Sequence, residues 1–193
     1  MKCDVILAGV GGQGVLSLAA IIARAAADEG LTVRQSEVHG MAQRGGAVLA
    51  HLRISDREIA CDLVPRGGAD LIISMEPLES LRYTEWLGPK GALVTAAEPF
   101  VNINNYPPLE DVIAAVNRFP LKRIIKAAAL AKEAGLAKAV NTVMVGAASP
   151  FLPVKTESLE KSITEAFSSK ETAIISANIK AFQLGRKAAG SIH

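Results

Sequence analysis

The chain has 193 residues, half of them hydrophobic, enough for one domain with a sizeable buried core, or one domain with an appendage. A formal net charge of +2 gives no basis for a nucleic-acid surface or a polybasic membrane contact. Two cysteines far apart, Cys3 and Cys61, exclude an iron–sulfur cluster or a tetrahedral zinc site built by this chain alone, and suit reduced thiols in a cytoplasmic protein.

No apolar run reaches the ~18 residues of a membrane span, and the run at residues 5–8 is too short for the core of a signal peptide. Aromatic residues make up only 4%, so the core is expected to be Ala, Val, Ile and Leu.

That run, Val5-Ile6-Leu7-Ala8, reads as a first strand. A glycine turn follows, in which Gly9, Gly11 and Gly14 have the spacing G-x-G-x-x-G, with Gly12 and Gln13 between them. Glycines allow positive φ and let a ligand approach the backbone without a Cβ in the way. Residues 15–28 read as a helix, apolar nearly all round, with Gly30 as its C-terminal cap. Its free N–H groups and positive dipole end would point at the turn, making a site for phosphate or another anion.

Residues 31–37 read as a second strand, completing a right-handed βαβ unit. Glu37 lies near the position where an acidic residue holds a ribose hydroxyl, so an independent NAD- or FAD-binding protein is one reading. The next stretch suits it less. Residues 37–46 form a polar, glycine-punctuated loop carrying Glu37, His39, Gln43 and Arg44. At the carboxyl end of a parallel strand these side chains would lie in the ligand crevice. The alternative is that Gly40, Gly45 and Gly46 only make turns and the charges are solvated.

Residues 47–54 and 58–61, around a polar turn at 55–57, suggest a β-hairpin. His51 alternates with apolar residues and is expected to be a half-buried strand histidine. A strand at 70–74 is expected at the sheet centre. A helix at 77–86 opens on Pro77, residues 88–91 form a turn, and 92–95 make another buried strand. Residues 98–108 are irregular. A helix at 109–117, a short strand at 123–125 and a helix at 127–134 follow. The remaining third is helical, at 139–148, from an N-cap look at Thr156 to 167, and from Glu171 or Thr172 to 189. Met144 is expected in the core or at a subunit contact.

The expected fold is α/β: one domain with a Rossmann-like open, mostly parallel sheet, an inserted β-hairpin and a helical C-terminal third. Phosphate loops of the G-x-x-x-x-G-K-[ST] type, H-E-x-x-H and G-x-S-x-G are all missing from the sequence. One anion-ready turn and one functional loop in a well-packed domain suit a non-catalytic subunit of a larger enzyme.

Three stretches carry a resemblance: the turn at 9–15, the loop at 37–46, and Asn141-Thr142-Val143-Met144-Val145-Gly146-Ala147. Together they resemble the gamma-type domain of 2-oxoacid:ferredoxin oxidoreductases, over almost the whole chain. The resemblance implies a non-autonomous, cytoplasmic subunit of an enzyme that oxidatively decarboxylates a 2-oxoacid, here an aryl pyruvate such as indolepyruvate. Coenzyme A takes up the acyl group and ferredoxin the electrons. Thiamine diphosphate, Mg2+ and 4Fe–4S clusters are expected on a partner alpha subunit, and none is expected on this chain alone. The gamma-type domain would shape the active-site entrance and help hold coenzyme A, and the turn with Arg44 would suit its pyrophosphate. The isolated chain is expected to be capable of forming a homodimer.

Overall fold

The computed structural model describes residues 1–39 and 45–190, the side chains of Val38 and His39 excepted. Its centre is β1 (Lys2–Val10), buried from Cys3 onward. A strand covered on both faces reads as a continuous apolar run, as this one does. β1 lies between two neighbours of opposite sense. On one side is β3 (Ala47–Ser55), antiparallel, with Val5 opposite Leu52. On the other is β4 (Ala69–Ser74), parallel, with Val5 opposite Leu71. Together with β2 (Thr32–His39), β5 (Leu87–Ala96) and β6 (Lys122–Ile125), they form one sheet in the order β2-β3-β1-β4-β5-β6.

The hairpin is present, but between other strands than the sequence suggested. β3 pairs antiparallel with β2, with Glu37 opposite Ala50, and residues 58–61 form no strand. The residues joining the two strands are 40–46, and the apparent turn at 55–57 is only the end of β3. As a result β1 and β2 do not pair directly, because β3 is inserted between them. β2 is therefore an edge strand about 10 Å from β1, at ~4.8 Å per strand spacing.

Alternation along β1 divides the core. Val5 and Leu7 face the larger half, with α1 (Val15–Asp28), α5 (Val140–Ala148), α6 (Thr156–Ala166) and α7 (Thr172–Ala189). Ile6 and Ala8 face the smaller half with Ile72, Leu93 and Val116, on the side of α2 (Pro77–Arg82) and α3 (Leu109–Val116). α4 (Ala127–Glu133) follows β6 on the larger side.

α1 keeps the bounds its pattern indicated. Gly30, at φ 78°, donates to the Ala27 carbonyl at 2.9 Å while the Leu31 N–H reaches Ala26 at 3.1 Å, closing the helix as a Schellman motif. The sheet, α5 and α6 of the same chain cover this apolar helix, so its buried face is not free for a partner.

The helix expected at 77–86 stops at Arg82, and Thr84–Trp86 continue as a 3-10 turn. The turn expected at 88–91 lies inside β5, where the pairing with β4 shifts register. Thr156 is the first residue of α6, not its cap, which is Lys155.

Met144 and His51 are both buried. His51 Nδ1 accepts from the Val64 N–H at 3.1 Å, and its ring stands edge-on to Trp86 with centroids 6.3 Å apart. Both cysteines are free thiols. Burial, helped by Asp70 and Asp4, pushes the Cys3 thiol up to about 12.

Candidate functional site at the glycine turn

The switch point of the sheet lies between β1 and β4, since the chain leaves β1 toward β2 and leaves β4 toward β5. In open α/β sheets the ligand crevice forms outside the strand ends at such a point. The glycine turn is there. A Cβ at Gly9 would lie 2.8 Å from Val15 Cγ2 and 3.1 Å from Met75 Cβ, so this glycine lets the helix close on the strand. Gly12 and Gly14 have φ of 101° and 81°, where L side chains are strained. A Cβ on Gly12 would meet nothing within 4 Å, so this side of the turn faces open space.

Gly14 is the N-cap of α1, and among the described residues neither a side-chain cap nor an acidic residue in the first turn satisfies the helix N-terminus. The first N–H groups and the dipole are left for an anion.

Gln13 belongs to the architecture of the turn. Its Oε1 accepts from the Val10 N–H at 2.8 Å and its Nε2 donates to the Met75 carbonyl at 3.2 Å. The Met75 N–H in turn donates to the Ala8 carbonyl at 2.9 Å. The amide thus ties the ends of β1 and β4 together. Gly11 joins the turn to the other motif: its N–H donates to the Gly46 carbonyl at 2.8 Å, and the Gly45 N–H donates to its carbonyl at 3.3 Å. The polar loop therefore returns onto the glycine turn.

Around the turn is a hollow of about 480 Å3 lined by Gly12, Gln13, Gly14, Met75, Lys138 and Asn141, among others. Lys138 is exposed in the turn before α5. Asn141 lies in the first turn of α5, where its Oδ1 accepts from the Thr142 N–H at 2.9 Å and its Nδ2 faces Gly14. Nothing in the sequence around Lys138 marks it as a site residue, and Asn141 stands out there only as part of the stretch at 141–147. A second hollow, of about 640 Å3 between α6 and α7, shares no lining residue with the turn.

The remaining site candidates fall as follows. Glu37 is exposed near the carboxyl end of β2. With β3 between β2 and β1, it does not occupy the neighbouring-strand position from which an acid reaches a ribose. His39 ends β2, and its side chain, with Gln43 and Arg44, lies outside the described residues.

A buried carboxylate that sequence reasoning missed lies one residue beyond Met75. Glu76 is 1% exposed. Its Oε2 accepts from the Glu79 N–H at 2.7 Å, capping α2. Its Oε1 accepts from the Phe100 N–H at 3.4 Å and from the Tyr106 hydroxyl. Burial and this carboxylate hold the Tyr106 hydroxyl above its ordinary value. Among the described residues no group of three His, Cys, Asp or Glu could hold a metal ion. Two thiols, one buried in β1 and one exposed, are too few donors for a four-iron cluster. No helix among the described residues is long and apolar enough to cross a membrane.

Comparison with known proteins agrees with this architecture. The profile of the pyruvate ferredoxin/flavodoxin oxidoreductase family matches residues 4–188. The indolepyruvate oxidoreductase subunit IorB of Archaeoglobus fulgidus is 37% identical over 194 residues, covering 96% of this chain and 94% of that protein. IorB of Pyrococcus horikoshii is 38% identical, covering 96% and 95%. Among solved structures, pyruvate oxidoreductase subunit PORC of Thermotoga maritima superposes with a TM-score of 0.74 at 25% identity, over 97% of this chain and 96% of that one. A 2-oxoglutarate:ferredoxin oxidoreductase of Magnetococcus marinus, solved with coenzyme A bound, shares the fold with a TM-score of 0.77 at 21% identity. The match covers 97% of this chain but only 31% of that longer polypeptide. The comparisons give no support to an independent NAD- or FAD-binding protein. The chain belongs to the pyruvate ferredoxin/flavodoxin oxidoreductase family, and its relatives and structural neighbours there include gamma subunits.

Proposed function

We propose that the chain is the gamma-type subunit of a cytoplasmic aryl-pyruvate:ferredoxin oxidoreductase. Its partner alpha subunit carries thiamine diphosphate, Mg2+ and the 4Fe–4S clusters and passes electrons to ferredoxin. The complex oxidatively decarboxylates a 2-oxoacid such as indolepyruvate. The C–COO− bond breaks to release CO2, the coenzyme A thiol takes the acyl group as a thioester, and the electrons leave for ferredoxin. The relatives named indolepyruvate oxidoreductase subunit support the substrate class. The two free thiols favour a reducing compartment.

In this reading the chain's own contribution is to seat coenzyme A. One observation carries it: an uncapped helix N-terminus, two positive-φ glycines, Lys138 and Asn141 surround one hollow at the sheet's switch point. The α1 N–H groups would hold the pyrophosphate, Lys138 would add a point charge, and Asn141 a neutral donor or acceptor. Arg44, by its chemistry, would suit the pyrophosphate as a bidentate donor. Gly9, Gly11 and Gln13 would shape the turn.

Calorimetric titration of the assembled complex tests this. Coenzyme A should bind, Lys138→Ala should weaken it by about tenfold, as for a lost charge-assisted contact, and NADH should give no heat. Wild-type affinity in both Lys138→Ala and Asn141→Ala would remove coenzyme A from this hollow.

A further inference from the structure

Gly45 is held from two sides. Its N–H donates to the Gly11 carbonyl at 3.3 Å, and its carbonyl accepts from Asn102 Nδ2 at 2.7 Å. Gly45 and Gly46 are consecutive glycines, and Gly45 has a φ of 81°. Glycine has the widest choice of backbone conformations, so little in these two residues alone keeps them on the glycine turn. Asn102 supplies a restraint from 57 residues further along the chain. It is itself restrained. It lies in the irregular segment between β5 and α3, and one buried carboxylate grips that segment on both sides of it. Glu76 Oε1 accepts from the Phe100 N–H at 3.4 Å and from the Tyr106 hydroxyl. Glu76 follows Met75, whose carbonyl takes the Gln13 amide. The end of β4 thus holds the turn directly through Gln13, and holds the glycines packed on it through residues 100–106.

The bonds from Gly45 and to Gly46 set the peptide between Gly11 and Gly12. In a trans peptide the carbonyl and the following N–H point in opposite directions. With the Gly11 carbonyl on Gly45, the Gly12 N–H points away from Gly45, and no hydrogen bond among the described residues uses it. Gly12 lines the hollow at the turn. A free backbone N–H beside a helix N-terminus is a further donor for an anion. A peptide between two glycines meets little steric resistance to turning over. Turned over, it would present a carbonyl oxygen where an anion needs a donor.

We propose that Asn102 is a positioning residue for the anion seat: by holding the Gly45 carbonyl it keeps Gly45 and Gly46 on Gly11, and so keeps the Gly12 N–H turned toward the pyrophosphate of coenzyme A. This rests on the coenzyme A reading above. Asn102 touches no ligand in this scheme and acts only through Gly45 and Gly11.

Two readouts on Asn102→Ala test this. In the isolated full chain, amide hydrogen exchange of Gly45 and Gly11, followed by NMR, should speed up about fivefold, the size of one hydrogen bond's net contribution. In the assembled complex the calorimetric Kd for coenzyme A should rise about fivefold, while thermal unfolding of the chain stays as in wild type. Asn104→Ala, exposed in the same segment, should match wild type in all three. Unaltered exchange in Asn102→Ala overturns the positioning role and leaves the coenzyme A reading standing. Faster exchange with wild-type affinity for coenzyme A does the same, since Gly45 would then be held for nothing the ligand feels. A lowered unfolding midpoint, or equal effects in Asn104→Ala, would make the contact one of general stability and overturn the proposal. A wild-type complex that gives no heat with coenzyme A overturns the reading and the proposal with it.

Discussion

Gly11 and Gly46 are hydrogen-bonded, the Gly11 N–H to the Gly46 carbonyl at 2.8 Å. This bond continues the β1–β3 ladder past Val10 and Ala47. It joins two stretches that sequence alone could only describe separately. The glycine turn and the end of the polar loop are one unit because β3 lies beside β1. The same insertion moves β2 out to the edge and takes Glu37 away from a dinucleotide position.

Gln13 is a bracket for that unit, and its loss should be felt in stability. Gln13→Ala leaves the Val10 N–H without its acceptor and the Met75 carbonyl without its donor. A cost of about 1–3 kcal/mol is expected for an orphaned part-buried group. Urea unfolding of the isolated chain, without ligand, measures it. An unchanged midpoint would mean that Gln13 is free to serve a ligand.

The helical third depends on two glycines. A Cβ on Gly146 of α5 would lie 2.0 Å from the Phe182 carbonyl oxygen, and one on Gly185 of α7 would lie 2.0 Å from that of Val143. Backbone cannot yield there as a flexible side chain would. The two helices also share the Thr142 Oγ1 to Asn178 Oδ1 bond at 2.7 Å. Gly146→Ala should cost about 2 kcal/mol or more from overpacking, read from chemical denaturation. A change under ~0.5 kcal/mol would contradict the close approach.

At the other end of the sheet Asp4 is fully buried between two cations. Arg53 reaches it through Nε at 2.7 Å and Nη2 at 3.1 Å, and Lys2 Nζ lies at 2.7 Å. Arg53 Nη1 also donates to the Cys61 and Leu63 carbonyls, pinning the loop after β3. Arg53→Ala leaves a buried carboxylate with only the exposed Lys2 and should destabilise by about 3 kcal/mol. It should also free the loop, so amide hydrogen exchange at residues 61–64 should speed up. Unaltered exchange with full stability would show that the pair holds nothing.

His51 links stability to pH. Its burial, and then the charge of Arg53, hold its pKa below the ordinary value in the folded chain. The folded state therefore binds a proton less readily than the unfolded chain. This contribution is complete above the unfolded value near 6.5 and is lost as pH falls below it toward the folded value. Protonation of Nδ1 would also break the bond from the Val64 N–H. Unfolding free energy should fall between pH 7 and pH 5, and His51→Gln should flatten that slope. A slope unaffected by the substitution would assign the dependence to other groups.

Much of the fold was legible because its signals are local. The apolar α1, closed by Gly30, has the bounds read from the sequence, and so does the end of α7. The hairpin was misplaced because pairing is not local. Residues 55–57 look like a turn, and nothing in them says that β3 pairs back across residues 40–46. The site was legible only in part for the same reason. Glycine spacing marks an anion-ready turn by itself. Lys138 and Asn141 reach it only once α5 has packed against α1, and Glu76 meets Tyr106 only through the path of residues 97–108 between β5 and α3.

Reconstitution tests the central claim most directly. The purified chain is mixed with its thiamine-bearing partner, and reduction of a viologen dye by indolepyruvate is followed with and without coenzyme A. The partner alone should be nearly inactive, and adding the chain should restore coenzyme A-dependent reduction. Full activity of the partner alone, unchanged when the chain is added, would contradict the claim that this chain is a working part of the oxidoreductase.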